Sequence, residues 1–398
     1  MLSSLCFQRT SKFQKIRSYA LWVMKKEPDL ESALSRNRRW IVNNQIKNII
    51  LRCHGQVIDV RDLQKKFKSL DCQGNALNWL KKYPSCFETF QDDGKHYCRL
   101  TKQMMSLVEE EEHVRDLQEP AIVKKLAKLL MMSTRHRLNV IKLNELKRSF
   151  GFPDDYLIRV LPKFPDTFRL VNYSGRRTSM EIELLSCEEE WEISAIEANA
   201  KNENVEPRFR CCLPSSWVKS IEKFNEFNST KYISPFSSED CLSDEASEKR
   251  AVSRIHELLS LTLWKKMSIQ KLGHFRKELR FPEKPNILLL KHPGIFYVSN
   301  KYQMYTVILK EGFRGSELID KDPLVVVKEK FRDLMQGGVH ERNRRNYEAN
   351  LEKKRKKGVV GNGKGRKDES DEASCEGEAI LKLEERKRFY RALLGEDV

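Results

Sequence analysis

A six-residue pattern, Lys-aromatic-Pro-x-x-Phe, occurs three times in this chain and constrains its fold more than any other feature. The copies are Lys82-Tyr83-Pro84-Ser85-Cys86-Phe87, Lys163-Phe164-Pro165-Asp166-Thr167-Phe168 and Lys291-His292-Pro293-Gly294-Ile295-Phe296, the last with His in the aromatic place. Each follows an amphipathic, Lys-rich helical stretch and precedes two short strand-like runs. Internal repetition means that one supersecondary unit is used several times. The copies stand 81 and 128 residues apart, so related modules are separated by insertions and do not stack as a tight solenoid.

Periodicity predicts the contents of each module. In the first, Ile41, Val42, Ile46, Ile49 and Ile50 fall at helical spacing before Gly55, and a second helix starts near Asp59 with Leu63 and Phe67 inward. A third runs from about Asn75 to Lys82 and stops at Pro84, whose ring removes a donor and restricts the residue before it. Phe87–Phe90, a turn at Gln91–Lys95 and His96–Leu100 read as a hairpin. The same order recurs around Val140–Phe150, Tyr156–Leu161, Thr167–Asn172 and Ser179–Leu185. It recurs again around Ile269–Leu279, Ile295–Ser299 and Met304–Leu309. Helix, helix, Pro, strand, turn, strand is the order of a winged helix-turn-helix unit. The expected fold class is therefore α+β, helix-rich, with repeated winged-helix-like modules bearing two-stranded wings. The expected boundaries are 33–105, 120–186 and 251–336. An insertion at 187–250 carries an acidic helix-like stretch (Glu188–Asn199) and a mobile Ser-rich run (237–247). Gly337-Gly338 is expected to break the fold. A disordered tail, basic and then acidic, would follow at 337–398, with a short amphipathic segment at Ile380–Leu394.

A formal charge of +17 points to a polyanionic partner, and its clustering says more than its size. Residues 36–83 hold eleven Lys or Arg against three Asp, and residues 134–177 hold ten against four acids. Nucleic-acid affinity needs cations that displace counterions from phosphates. The candidate contacts are Arg36, Arg38, Arg39, Lys47, Lys65, Lys66, Lys68 and Lys82 in the first cluster. In the second they are Arg135, Arg137, Lys147, Arg148, Lys163 and the wing pair Arg176 and Arg177, with Lys291 from the third repeat. Phe87, Phe168 and Phe296, at fixed spacing after Pro, are expected to anchor the strands in the core. For Tyr83, Phe164 and His292, both core packing and stacking on bases stay open.

Other chemistry leaves no mark. The ten Cys show no Cys-x-x-Cys and no zinc spacing, and read as reduced core thiols. There is no phosphate loop, nucleophile elbow or His-Glu-x-x-His, so the chain is not expected to be an enzyme or to use a cofactor. Residues 1–26 carry Arg9, Lys12, Lys15, Arg17, Lys25 and Lys26 and no acid, with an apolar run too short to span a bilayer. This reads as an organelle import leader, expected over 1–19 from the Arg17-Ser18-Tyr19-Ala20 context. No membrane insertion is expected.

Three stretches together resemble the plant organelle RNA recognition domain family. They are Leu143–Phe150 continuing through Phe152-Pro153-Asp154-Asp155-Tyr156 and Lys163-Phe164-Pro165; Leu213-Pro214-Ser215-Ser216-Trp217 with Tyr232–Phe236; and His292–Ser299 continuing into Leu309-Lys310-Glu311-Gly312-Phe313. The resemblance covers about residues 33–336. It implies a non-catalytic RNA-binding protein that assists splicing of group II introns, with organellar transcripts and other splicing factors as partners. The leader favours mitochondria over plastids. Two rival readings remain at this stage: an organellar DNA-binding nucleoid protein, since winged helices commonly dock on duplexes, and a protein-interaction scaffold.

Overall fold

The computed structural model describes residues 26–360, except 35–37, 68, 71–73, 238–242 and 302–304. The leader, Arg36, Lys68, the centre of the Ser-rich run and the segment Ile380–Leu394 lie outside the described residues.

The first helix among the described residues is α1 (Pro28–Ala33), started by a Pro whose missing amide costs nothing in a first turn. The first module comprises α2 (Arg38–Leu51), β1 (Val57–Asp59), α3 (Val60–Lys66), α4 (Ala76–Lys82), β2 (Phe87–Asp92) and β3 (Lys95–Leu100). A connecting helix, α5 (Lys102–Leu117), leads into the second: α6 (Glu119–Met131), β4 (Arg137–Asn139), α7 (Val140–Phe150), α8 (Tyr156–Arg159), β5 (Phe168–Asn172) and β6 (Met180–Leu184). The insertion carries α9 (Ala195–Glu203) and α10 (Val218–Ser229). The third module is α11 (Asp244–Ser260), β7 (Lys266–Ser268), α12 (Ile269–His274), α13 (Pro285–Lys291), β8 (Phe296–Ser299) and β9 (Thr306–Leu309). A small hairpin, β10 (Phe313–Arg314) and β11 (Glu317–Leu318), precedes the long α14 (Pro323–Val360).

All three modules therefore run helix, short strand, helix, helix, strand, strand. Their antiparallel sheets have orders β1-β3-β2, β4-β6-β5 and β7-β9-β8. The wings are three-stranded, where the sequence suggested two. The added strand is only three residues long in each case, too short for alternation to show. Its last residue doubles as a helix cap: Asp59 accepts from the Arg61 amide at 2.7 Å, and Asn139 from the Ile141 amide at 2.9 Å. Ser268 holds the equivalent place without that bond. The helix can thus begin as soon as the strand ends.

The repeated Pro motif does the same job three times. It closes the third helix of the module and turns the chain so that Phe87, Phe168 and Phe296 enter the core, all 5% exposed or less. Tyr83 and His292 are buried beside them, and Phe164 is partly buried against the same core. The acidic insertion stretch splits into a tight turn at Glu189–Glu192 and α9, whose Ser194 and Glu197 form a reciprocal capping box. The third module's first helix, α11, starts at Asp244, inside the stretch assigned to the insertion.

Modules two and three share one apolar core running from Ile122 to Leu309. Their contacts are reciprocal at a fixed offset of 129 residues. The Thr134 amide donates to the Glu278 carbonyl at 2.9 Å, and the Leu263 amide to the Ser149 carbonyl at 2.8 Å. Likewise Lys142 Nζ donates to the His274 carbonyl at 3.0 Å, and Lys271 Nζ to the Glu145 carbonyl at 2.8 Å. This is the signature of an isologous interface, in which residue i meets j and the copy of j meets the copy of i. The two modules are an internal pseudo-two-fold pair. On its axis Lys128 of α6 meets its own counterpart, Glu257 of α11, at 2.8 Å with both side chains buried.

The glycine pair in α14 does not end the helix, which continues through it. Gly338 serves close approach instead. A Cβ there would press into Ser85 Oγ and stand 2.7 Å from Ser85 Cβ and 3.1 Å from its backbone nitrogen. Ser85, in the first Pro motif, donates to the Leu334 carbonyl at 2.7 Å, so this turn and the helix are seated on each other. Residues 339–360 form a separate unit and are helical, with exposed Arg344, Arg345, Lys353 and Arg355. Among the described residues no helix is long and apolar enough to cross a membrane.

Candidate nucleic-acid interface

Among the described residues, six of the sixteen basic residues singled out from the sequence form ion pairs within the protein itself. Lys47 is the clearest correction: on α2 it is buried, pairs with Glu111 of α5 at 2.6 Å and lies over the Phe331 ring. It braces α2 against α5 and α14 and offers nothing to a ligand. Lys147 pairs with Asp154 at 2.7 Å and Lys65 with Asp62 at 2.8 Å. The Lys of the Pro motif ties the third helix of its module back to the first, pairing Lys163 with Glu119 and Lys291 with Glu248, at 2.8 and 2.9 Å. Lys82, at the first copy, is half-buried. Arg38 opens α2, and Arg177 opens the tight turn before β6.

What remains forms the candidate interface. Arg39 and Lys66 in module one, and Arg135, Arg148 and Arg176 in module two, are exposed and make no ion pair among the described residues. Lys81, which the sequence reading passed over, joins them on α4. Its signal was available: the third helix of a winged unit is the one that docks in helix-turn-helix proteins, and Lys81 is its outward cation.

The first two wings add aromatic faces held by arginines. In module two Glu183 stands at the centre of β6 and accepts from both neighbours, Arg137 of β4 and Arg169 of β5, at 2.5–3.0 Å. These contacts are cross-strand pairs of the sheet register. The two guanidiniums hold the Glu183 carboxyl below the usual carboxylate range. Arg137 also lies 5.2 Å from the centre of the Tyr173 ring, which is 66% exposed at the wing tip beside Arg176. In module one Arg99 forks onto Glu88 at 2.9 and 3.2 Å and covers Phe90, which stacks on Tyr97 with ring centres 5.8 Å apart. Tyr173 is exposed and Phe90 and Tyr97 are half-buried; a solvent-facing ring fixed by Arg is suited to stacking on unpaired bases. Of these residues only Arg137 was a candidate from the sequence; Arg99, Arg169 and the rings they or Arg137 hold were passed over, because an Arg in a strand announces neither its cross-strand acid nor its ring.

The family model that describes the plant organelle RNA recognition domain matches residues 25–340. The chain belongs to this family. It is 33% identical over 333 residues to the chloroplastic WHAT'S THIS FACTOR 1 homolog of Arabidopsis thaliana, covering 78% of this chain and 62% of that protein. ROOT PRIMORDIUM DEFECTIVE 1 of the same plant is 32% identical over 282 residues, covering 65% of this chain and 68% of that protein. The mitochondrial WHAT'S THIS FACTOR 9 is 28% identical over 358 residues, covering 84% and 89%. The chain spans less than two thirds of the length of the chloroplastic relatives, between 62% and 66%. No solved structure matches it. The plant organelle RNA recognition match thus takes in all three modules, the hairpin β10–β11 and α14 as far as residue 340. Among its described residues no group of three His, Cys, Asp or Glu is placed to hold a metal ion.

Proposed function

We propose that this chain is an RNA-binding protein of plant mitochondria that promotes splicing of group II introns by stabilising the folded intron, leaving the chemistry to the RNA. The observation that carries the reading is a group of exposed cations on modules one and two, Arg39, Lys66, Lys81, Arg135, Arg148 and Arg176, that make no ion pair among the described residues, within a chain of the organelle RNA recognition family. Fixed cations lower the repulsion between intron segments that must approach, and so shift the RNA toward its compact state. The splicing role follows what the family resemblance implies. The acid-free leader favours mitochondria, and the relative spanning most of both chains has a mitochondrial name.

The test is crosslinking and immunoprecipitation of the tagged protein from isolated mitochondria, followed by sequencing of the bound RNA. Reads concentrated in one or a few introns, with those introns retained when the protein is depleted, are the expected result. Reads spread evenly over all transcripts would refute the splicing role. Preference for duplex DNA in competition with intron RNA would turn the assignment to a nucleoid protein, and recovery of the tagged protein in plastids would overturn the compartment.

A further inference from the structure

A cleft of about 620 Å³ opens where α1, α2, the approach to β7, the β10–β11 hairpin and α14 meet. Three aromatic side chains line it: Trp40, Trp264 and Phe313. Four cations line it as well, Lys266, Lys321, Lys328 and Arg332, against two carboxylates, Glu317 and Glu329. The carboxylates do not neutralise it evenly. Glu329 is taken by Lys321 at 2.8 Å and by Arg332 at 3.9 Å. Lys266 donates to the Ala33 carbonyl at 2.9 Å and lies 5.6 Å from the centre of the Trp264 ring. Lys328 has no hydrogen bond or ion pair among the described residues.

This combination differs from the exposed basic faces. The cleft offers apolar ring faces together with an unsatisfied ammonium inside a concavity, at a volume typical of small-molecule sites. Unpaired nucleotides carry both complements, a π-face and a phosphate, whereas a duplex hides its bases. We propose that this cleft seats a single unpaired RNA nucleotide, its base against Trp40 and Trp264 and its phosphate at Lys328. The proposal rests on the RNA-binding reading and gives it a strand state. Burial pushes Lys328 down to about 8, against the attraction of Glu111 and Asp322 and with added repulsion from Arg115 and Lys47. Burial likewise brings Lys266 to about 8, with Lys301 adding to the effect. An arriving phosphate relieves that penalty at both lysines, which favours an anion here over one at a solvated lysine.

The experiment measures binding of the full chain to an octamer of uridylate and to an octamer of the same backbone carrying abasic sites. Trp264→Leu should weaken binding to the uridylate strand by about 5- to 150-fold, the range measured for loss of one stacked base. It should leave the abasic strand unchanged. Lys328→Gln removes a desolvated charge that makes no hydrogen bond or ion pair among the described residues, and Glu111 and Asp322, which attract it, keep Lys47 and Lys125 as partners, so folding should survive it. It should reduce the salt slope on both strands by about 0.7. Equal losses on both strands for Trp264→Leu, or no loss in either variant, would overturn the nucleotide site. If the exposed Arg135, Arg148 and Arg176 still govern affinity in that case, RNA binding stands and the cleft is dismissed from it. If the unaltered protein binds neither strand nor intron RNA, the RNA-binding reading fails first.

Discussion

Replacing Arg135, Arg148 and Arg176 together with Gln tests whether RNA is held by the cations that the fold leaves unpaired. The structure supplies the magnitude. The contacts proposed are six of the exposed cations on modules one and two that make no ion pair among the described residues: Arg39, Lys66, Lys81, Arg135, Arg148 and Arg176. Each phosphate neutralised on a single strand contributes about 0.7 to the slope of log affinity against log salt, so six give a slope near −4 and three near −2. Between 50 and 200 mM salt the unaltered protein should lose about 300-fold in affinity, and the triple variant only about 20-fold. The matched control is Lys147→Gln, Lys163→Gln and Lys291→Gln, which removes the same charge from residues already paired with Asp154, Glu119 and Glu248. Those ammoniums have a protein counter-ion and release fewer solution ions, so the slope should stay close to that of the unaltered chain. Anisotropy titrations of a labelled intron fragment at four or five salt concentrations read both slopes. If the two triple variants flatten the dependence equally, exposure and pairing do not select the contacts and the reasoning is wrong.

Three further outcomes follow from the packing. Gly338→Ala should cost about 1–3 kcal/mol in denaturant unfolding, because Ser85 holds the Leu334 carbonyl and cannot yield freely; Ser85→Gly in the same chain should return most of the loss. Lys128→Ala should cost about 3–5 kcal/mol, since Glu257 would be left charged and 1% exposed. Exchanging the pair, Lys128→Glu with Glu257→Lys, should recover only part of this cost. In the native arrangement Lys128 also donates to the Ile193 carbonyl and Glu257 accepts from the Ala195 amide, and the exchange breaks both. His292 is depressed below its ordinary value by burial, so the unfolded chain takes up its proton more readily. Stability is therefore intact above about 6.5 and falls as the pH drops from there. Glu248, depressed by the neighbouring Lys291 and His292 despite its own burial, adds a second loss of the same sign at lower pH. His292→Phe, which restores the aromatic of the other copies and keeps a ring against Phe227, should abolish the upper part of the decline in thermal melts taken between pH 5 and 7.

The module order was legible because the Pro motif and the helical stripes are local signals. Leu143, Leu146 and Phe150, or Ile46 and Ile50, sit where a period of 3.6 puts them, and all are buried. The third strand of each wing was not legible, since three residues such as Val57–Asp59 gain their pairing from β3 some forty positions on. Gly337-Gly338 was read as the point where the fold breaks, and the first compact unit does end at Gly338. What the glycines did not reveal is that the helix runs on through them and that Gly338 is needed for the approach of Ser85, which is 253 positions away in sequence. Charge was the least legible property. Lys47 and Arg39 lie in one helix with the same type of side chain, yet one is enclosed against Glu111 and the other faces solvent. Counting cations cannot tell those that face solvent from those already engaged with the protein's own acids.

The buried pair Lys128–Glu257 bears on how the two modules stay together. In a symmetric dimer a residue on the two-fold axis meets its own copy, so a lysine would face a lysine and a glutamate a glutamate. Neither like-charged pair survives burial, because each charge needs an opposite partner to offset its desolvation. Here the two axial positions carry opposite charges, and they satisfy each other only when module two packs on module three. The reciprocal bonds of Lys142 and Lys271, by contrast, keep the same residue type on both sides and would serve any pairing of the two. The off-axis contacts therefore specify the geometry, while the axial pair specifies the partner and opposes a like-with-like exchange between two chains. One chain then presents both modules in a fixed relation, which is what a protein needs if it is to hold separate segments of one folded RNA at a set spacing.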